Sequence, residues 1–289
     1  MDHETSHPLE VRHVRRRRDH AAQSSDASFL HAQTLEGLAE RLTPIDIEPR
    51  QILDLGCGSG QTSRFLARRW RRARVISMDL SMTMLRVARK SRSRFGRRRE
   101  IQAEGSQLPL ATASIDLAVS NLSLPWVHDP ARCLGEVARV LKPGGLFLFA
   151  SLGPDTLTEL RAAWAEVDND AHVQPFADMH DVGDAMVRSG LAEPVLDIER
   201  LSITYRNLRD IYRDLTAAAA RNALSRRRAG LTGRQRFAAF EAALNRRFEG
   251  GSLALGIELV YGHAWRGQTP TGSGEVRLDP GSIGVRRRP

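Results

Sequence analysis

The chain has 289 residues, 41% of them hydrophobic, with a formal net charge of +9, which suits one large α/β domain with an elaboration or two small domains. It holds no run of 18 apolar residues to cross a membrane, and its charged first twenty residues lack the apolar stretch of a secretory signal. Two cysteines, Cys57 and Cys133, supply neither a disulfide framework nor a metal cluster, so no metal is expected and a reducing cytoplasm is the expected setting.

Residues 1–27 read as a disordered basic N-terminus, with Ser28 capping a helix that runs to Leu42. A strand at 51–55, a helix at 62–70, a strand at 74–78 and a helix at 83–92 follow. Strands at 100–103 and 114–120 come next, the latter carrying Ile115, Leu117 and Val119. Pro130 opens a helix to 141, Lys142-Pro143-Gly144-Gly145 stops it, and 146–150 is a fifth strand. Alternation of strand and helix predicts a parallel, doubly wound sheet with ligands at the strand C-termini. Helices at 156–167 and 180–189, the second closed by Gly190, lead to a strand at 195–205. A helical block over 207–247, broken near 228–233, precedes a last strand at 252–265. The expected domain is therefore 28–266, with a helical lid or insertion at about 206–250. The Gly/Pro-rich stretch 267–289 reads as a disordered tail.

Chemistry enters at Asp54-Leu55-Gly56-Cys57-Gly58-Ser59-Gly60, a glycine-dense turn between the first strand and its helix. Glycines permit positive φ and leave no Cβ in the way of a ligand. Asp79 ends the second strand 19 residues beyond Gly60, where an acid suits the two hydroxyls of a ribose. A dinucleotide turn usually reads G-x-G-x-x-G; here the glycines are spaced by two, and Asp54 would repel a pyrophosphate but attract an ammonium. Arginines cluster at 15–18, 97–99, 226–228 and 286–288, while the lysines are Lys90 and Lys142 alone. An acidic partner is the functional reading and a solvated charge run the bland one. Few aromatics accompany the clusters, which speaks against stacking on single-stranded nucleic acid.

The turn resembles motif I of the class I S-adenosylmethionine (SAM) methyltransferases, and Asp79-Leu80-Ser81 resembles their ribose-binding segment. Ala103-Glu104-Gly105-Ser106 resembles the adenine-side turn, with Glu where Asp is usual, and Ser120-Asn121-Leu122-Ser123-Leu124-Pro125-Trp126 resembles the segment after strand four. Downstream, Gly153-Pro154-Asp155-Thr156-Leu157-Thr158-Glu159-Leu160-Arg161, residues 176–184 and Tyr261-Gly262-His263-Ala264-Trp265 are similar to the biotin-pathway malonyl-acyl-carrier-protein O-methyltransferases. That family usually carries an aromatic near an N-terminal Ala-Ala pair; Ala21-Ala22-Gln23-Ser24-Ser25-Asp26 has none.

The resemblance implies a Rossmann-like, seven-stranded, mostly parallel sheet with helices on both faces, the last strand antiparallel, and a helical insertion between strands six and seven. It implies SAM as cofactor, held by Asp54, Gly56, Gly58, Gly60, Asp79, Leu80, Glu104, Gly105 and Asn121. The acceptor would be the carboxylate of a malonyl thioester on an acidic acyl carrier protein. That group is already ionised at pH 7, so no catalytic base is expected. Trp126 could wall the substrate pocket or be a core aromatic. Arg161, Tyr205, Tyr261 and His263 could touch substrate or serve the surface and the strands; His180 could simply begin a helix. A monomer is expected. The alternatives are a SAM-fold arginine hydroxylase of respiratory complex assembly, an RNA or protein methyltransferase, and a non-catalytic scaffold.

Overall fold

The computed structural model describes residues 9–23, 29–90, 98–225, 227, 230 and 232–267. Helices α1 (Val11–Ala21) and α2 (Phe29–Leu42) precede β1 (Gln51–Leu55), α3 (Gln61–Arg69), β2 (Arg74–Asp79), α4 (Met82–Lys90) and β3 (Arg98–Gln102). Then come β4 (Ile115–Asn121), a 3-10 turn at Leu124–Trp126, α5 (Pro130–Val140), β5 (Leu141–Leu152), α6 (Thr158–Ala165) and α7 (Met179–Arg188). The chain closes with β6 (Leu191–Tyr205), α8 (Leu208–Ala217), α9 (Arg234–Asn245) and β7 (Leu253–Arg266).

The strands form one sheet in the order β3-β2-β1-β4-β5-β7-β6. β1 to β5 pair in parallel, while β7 runs antiparallel to both β5 and β6. Both faces are covered, as a parallel sheet requires. Successive residues therefore enter opposite cores. Leu146, Leu148 and Ala150 pack with Leu38, Leu66, Leu160 and Phe240 on one side. Phe147 and Phe149 pack with Val137, Ala138 and Met186 on the other. Phe240 of α9 stacks on Trp164 of α6 at 4.1 Å between ring centroids. Cys57 and Cys133 are both buried and free.

Three expectations change. The N-terminus is not disordered down to residue 27: α1 spans Val11–Ala21, and Leu9 forms a β-bridge with Leu224. Its sequence VRHVRRRRDHA offers few apolar residues, but Val14 and Ala21 are buried against the fold, so docking stabilises what propensity alone would not. The fifth strand begins at Leu141, not 146. The register jumps from Ile115↔Leu141 to Leu117↔Leu146, so Lys142 to Gly145 bulge out within one strand. Strand six likewise begins at Leu191 and carries an irregularity between Ala192 and Val195. Ser28, the expected cap of α2, and the tail from 268 onward lie outside the described residues.

Candidate active site

The ends of β1, β2 and β4 open onto one cleft, roofed by α1. β1 ends in the turn Gly56–Gly60, whose three glycines adopt φ of +75°, +51° and +83°. Gly56 is required twice over, since a Cβ there would lie 1.9 Å from Ser123 Oγ. A Cβ on Gly58 would meet no atom within 4 Å, so this glycine answers to its φ and to the open cleft beside it. The backbone N–H groups of Gly56 and Cys57 both donate to Met78 O at 2.8 Å, which pins the turn to the end of β2.

Asp79 is fully buried at that end. Its Oδ1 accepts from Ser81 N at 2.8 Å, and its Oδ2 accepts from Gly58 N at 3.0 Å and from Arg18 Nη1 at 2.9 Å. Arg18 belongs to α1, and the next residue, Asp19, accepts a hydrogen bond from Ser81 Oγ. α1 is thus fastened to the rim by polar contacts and by the packing of Leu9 and Val14 with Ala223 and Leu224. Glu104 and Gly105 line the same side of the cleft as Asp79 and Leu80. Glu104 accepts from Ser106 Oγ at 2.8 Å.

Asn121 closes β4 on the other side. Its Oδ1 accepts from Thr34 Oγ1 at 2.7 Å, and its Nδ2 donates to His31 O at 3.1 Å. Leu122 follows with φ +55°, and Trp126 stands on the 3-10 turn, edge-on to Phe176 at 6.5 Å. Trp126, Val14 and Arg18 face both the Asn121 and the Asp79 halves of the cleft. Ala217, Ala218 and Ala219, at the end of α8, reach in from the segment between β6 and β7.

Of the residues singled out in the sequence, Gly56, Gly58, Asp79, Leu80, Glu104, Gly105, Asn121 and Trp126 meet in this cleft. Asp54 and Gly60 do not line it. Asp54 is buried beneath the turn, its Oδ2 accepting from Ser63 Oγ, which sits 2.7 Å from Ser77 Oγ. Burial raises its pKa to about 7, against the opposing pull of that hydrogen bond and of Arg98. Arg161 donates to the carbonyls of Pro154 and Thr156, both at 3.3 Å, bracing its own loop. Tyr205 donates to Asp214 at 3.2 Å, and burial pushes its pKa up to about 12. Tyr261 is fully buried in the sheet core under Arg41, whose guanidinium lies 3.7 Å from the ring centre. His263 pairs with Leu148 in the body of the sheet, and burial lowers its pKa. His180 occupies the first turn of α7, its ring 2.7 Å from the capping Asp178. The sequence reading missed Val14, Arg18 and His31. Their signal is faint: Val14 is an apolar position within an arginine run, and it aligns with the cleft only once α1 docks. Burial and Arg18 hold His31 at a pKa of about 4, so it is neutral at physiological pH.

The residues present fit a nucleoside cofactor: a turn of positive-φ glycines, an open face at Gly58, and a buried carboxylate at the end of β2. Sheet order, glycine turn and carboxylate define a SAM-dependent methyltransferase. Residues 53–149 match the family model described as a methyltransferase domain. The fold is shared with a putative methyltransferase from Bacillus halodurans, with a TM-score of 0.58 at 14% identity over 82% of this chain and 100% of that one. The YcgJ protein of Bacillus subtilis gives 0.57 at 14% identity, with the same coverage.

Sequence relatives are more specific. The malonyl-[acyl-carrier protein] O-methyltransferase of Halorhodospira halophila is 43% identical over 287 residues, 97% of each chain. That of Methylovorus sp. is 42% identical over 278 residues, 92% of this chain and 94% of the relative. The chain belongs to the malonyl-[acyl-carrier protein] O-methyltransferase family.

Proposed function

We propose that this enzyme methylates the free carboxylate of a malonyl thioester carried on an acyl carrier protein, early in biotin synthesis. The observation that supports this reading is a cleft built for a nucleoside cofactor and walled by Val14, Leu122, Trp126 and Ala217, in a chain 43% identical to a relative of that name.

SAM supplies an electrophilic methyl group to this site. Asp79 would hold the ribose hydroxyls, with Arg18 yielding or sharing its Oδ2. The Gly56–Gly58 turn would pass the amino-acid end, and Glu104 and Gly105 would meet the adenine. Asp54 acts from beneath the turn by fixing Ser63, while Asn121 borders the methyl side. The acceptor carboxylate arrives ionised, so no residue need remove a proton. In such a transfer the methyl carbon would leave sulfur as it bonded to the carboxylate oxygen, giving a neutral thioether and a neutral ester, so both charges would be cancelled. The apolar wall favours this step, because water stabilises the separated charges more than the neutralised pair. Alignment of the reacting atoms by the closed cleft supplies the rest. Trp126 is the candidate that would wall the substrate; Arg161, Tyr205, Tyr261 and His263 hold the surrounding framework.

The test incubates the protein with methyl-labelled SAM and malonyl-carrier protein, beside free malonate, malonyl-CoA and bulk RNA. The expected result is label on the malonyl-carrier protein as a base-labile methyl ester. SAM binding without such label would overturn the proposal, and label on RNA would replace it.

A further inference from the structure

Along the seam between α1 and the segment after α8, Arg17, Arg221 and Arg227 gather. His13 and Arg17 lie one helical turn apart, hence on one face of α1. Arg227 Nη2 is 3.2 Å from both ring nitrogens of His13. Arg221 donates from Nε to Thr216 Oγ1 at 3.1 Å, which fixes one edge of its fork. The seam itself is firm: Leu9 bridges to Leu224, and Glu10 N donates to Ala223 O at 3.0 Å.

Among the described residues, none of Arg17, Arg221 and Arg227 has a carboxylate within 4 Å. Glu10, beside His13 on this helix, is engaged by Arg12 and His13. Arg17 Nε is buried and has no hydrogen-bond partner among the described residues. Burial first, then the neighbouring charges of Arg227, Arg221 and Arg16, push the Arg17 pKa down to about 10. Arg226 and Arg228 lie outside the described residues.

We propose that Arg17, Arg221 and Arg227 form a phosphate-binding cluster at the mouth of the cleft, and that its ligand is the phosphodiester of the pantetheine arm that tethers an acyl group to its carrier protein. This rests on the proposed acceptor. Position argues for the arm: the cluster draws on α1 and the segment after α8, the two elements that also line the cleft through Val14, Arg18 and Ala217 to Ala219. An arm that reached the cleft beside this closed seam would pass the arginines. Planar guanidinium forks match the oxygens of a phosphate, and several can share one anion. The cluster anchors the arm outside while its thioester end lies within.

The test compares malonyl-phosphopantetheine with malonyl-pantetheine as methyl acceptors. The native protein is expected to show a KM about tenfold lower for the phosphorylated compound, the worth of one or two charge-assisted hydrogen bonds. In Arg17→Gln and Arg221→Gln that preference falls toward one, and Arg17→Lys keeps part of it. SAM affinity, measured by calorimetry on each variant, shows that the cleft is folded. Equal KM for the two thioesters in the native protein overturns the cluster, as does a preference that survives in both variants. A variant effect confined to the whole carrier protein would assign the arginines to carrier carboxylates and also overturn it. If neither thioester is methylated, calorimetric binding of the two decides separately. Tighter binding of the phosphorylated one, lost in the variants, upholds the cluster while the proposed reaction fails; equal binding removes the cluster as well.

Discussion

Asp54 and Tyr261 show how far burial separates a residue's type from its role. Asp54 is protonated more readily in the folded protein than in the unfolded chain, its pKa raised from 3.8 to about 7. The unfolded chain therefore gives up this proton first as pH rises, and the folded state loses stability between about pH 4 and pH 7, then levels off. Asp54→Asn removes the titration. Its stability relative to the native protein is expected to climb by a few kcal/mol across that window in urea melts at stepped pH. A difference constant with pH would show that Asp54 titrates normally. His31, held neutral, acts in the opposite sense, destabilising as pH falls from 6.5 toward 4. Tyr261 is the plainer case. Its hydroxyl is buried without a hydrogen-bond partner among the described residues. Tyr261→Phe should leave the melting temperature unchanged or raise it, because an unsatisfied polar group is removed with the ring retained. The KM for the methyl acceptor should not move; a rise would return Tyr261 to the substrate site. Gly37 confirms the packing from the other side, since a Cβ there would lie 2.4 Å from the tyrosine oxygen.

Among the elements, α1 carries the most consequence for its size. Val14 is 4% exposed and packs with Leu9, Ala223 and Leu224 in a small cluster separate from the two cores of the sheet. Val14→Glu should therefore release the roof while sparing the sheet. The expected outcome is SAM dissociation faster by about tenfold or more in stopped-flow, from the lost burial of one valine, with most of the thermal stability retained. Slow release with the roof broken would mean that α1 does not gate the cofactor. The strands were legible because they are buried on both faces and read as apolar runs: Ile52 to Leu55 and Leu117 to Val119 admit little else. So were the glycine turn and Asp79, whose chemistry is local. α1 was not, because an arginine-rich stretch with only two valines, three places apart, reads as a solvated charge run until its partner surface exists. Arg18 meets Asp79 across 61 residues, and no local pattern announces such a pair. The late-strand residues Tyr261 and His263, offered as substrate or strand residues, sit in the sheet and outside the cleft for a related reason. A family string marks positions that matter, and sheet packing can be what matters there.

For the molecule as a whole, the charge of +9 has a direction only if it meets a charged partner. If the acceptor is an acidic carrier protein, its kcat/KM should fall steeply between 0.05 and 0.5 M salt, as the screening length shrinks from roughly 14 Å to roughly 4 Å. A small malonyl thioester lacking phosphate should show little change over the same range. Parallel slopes would mean that the surface charge does not steer the encounter.

The two sealed thiols turn the protein into its own reporter of opening. Cys57 sits on the floor of the cleft, and burial together with Asp54 and Asp79 raises its pKa well above the ordinary thiol value. Cys133 lies on the buried face of α5, its pKa pushed up to about 12 by burial. Alkylation requires a thiolate in reach of solvent, so each sulfur reacts only when its own region parts. Modification of Cys57 times the lifting of the cofactor turn, and modification of Cys133 times the breach of the core. A bound cofactor should slow the first clock and leave the second running at the pace of global unfolding.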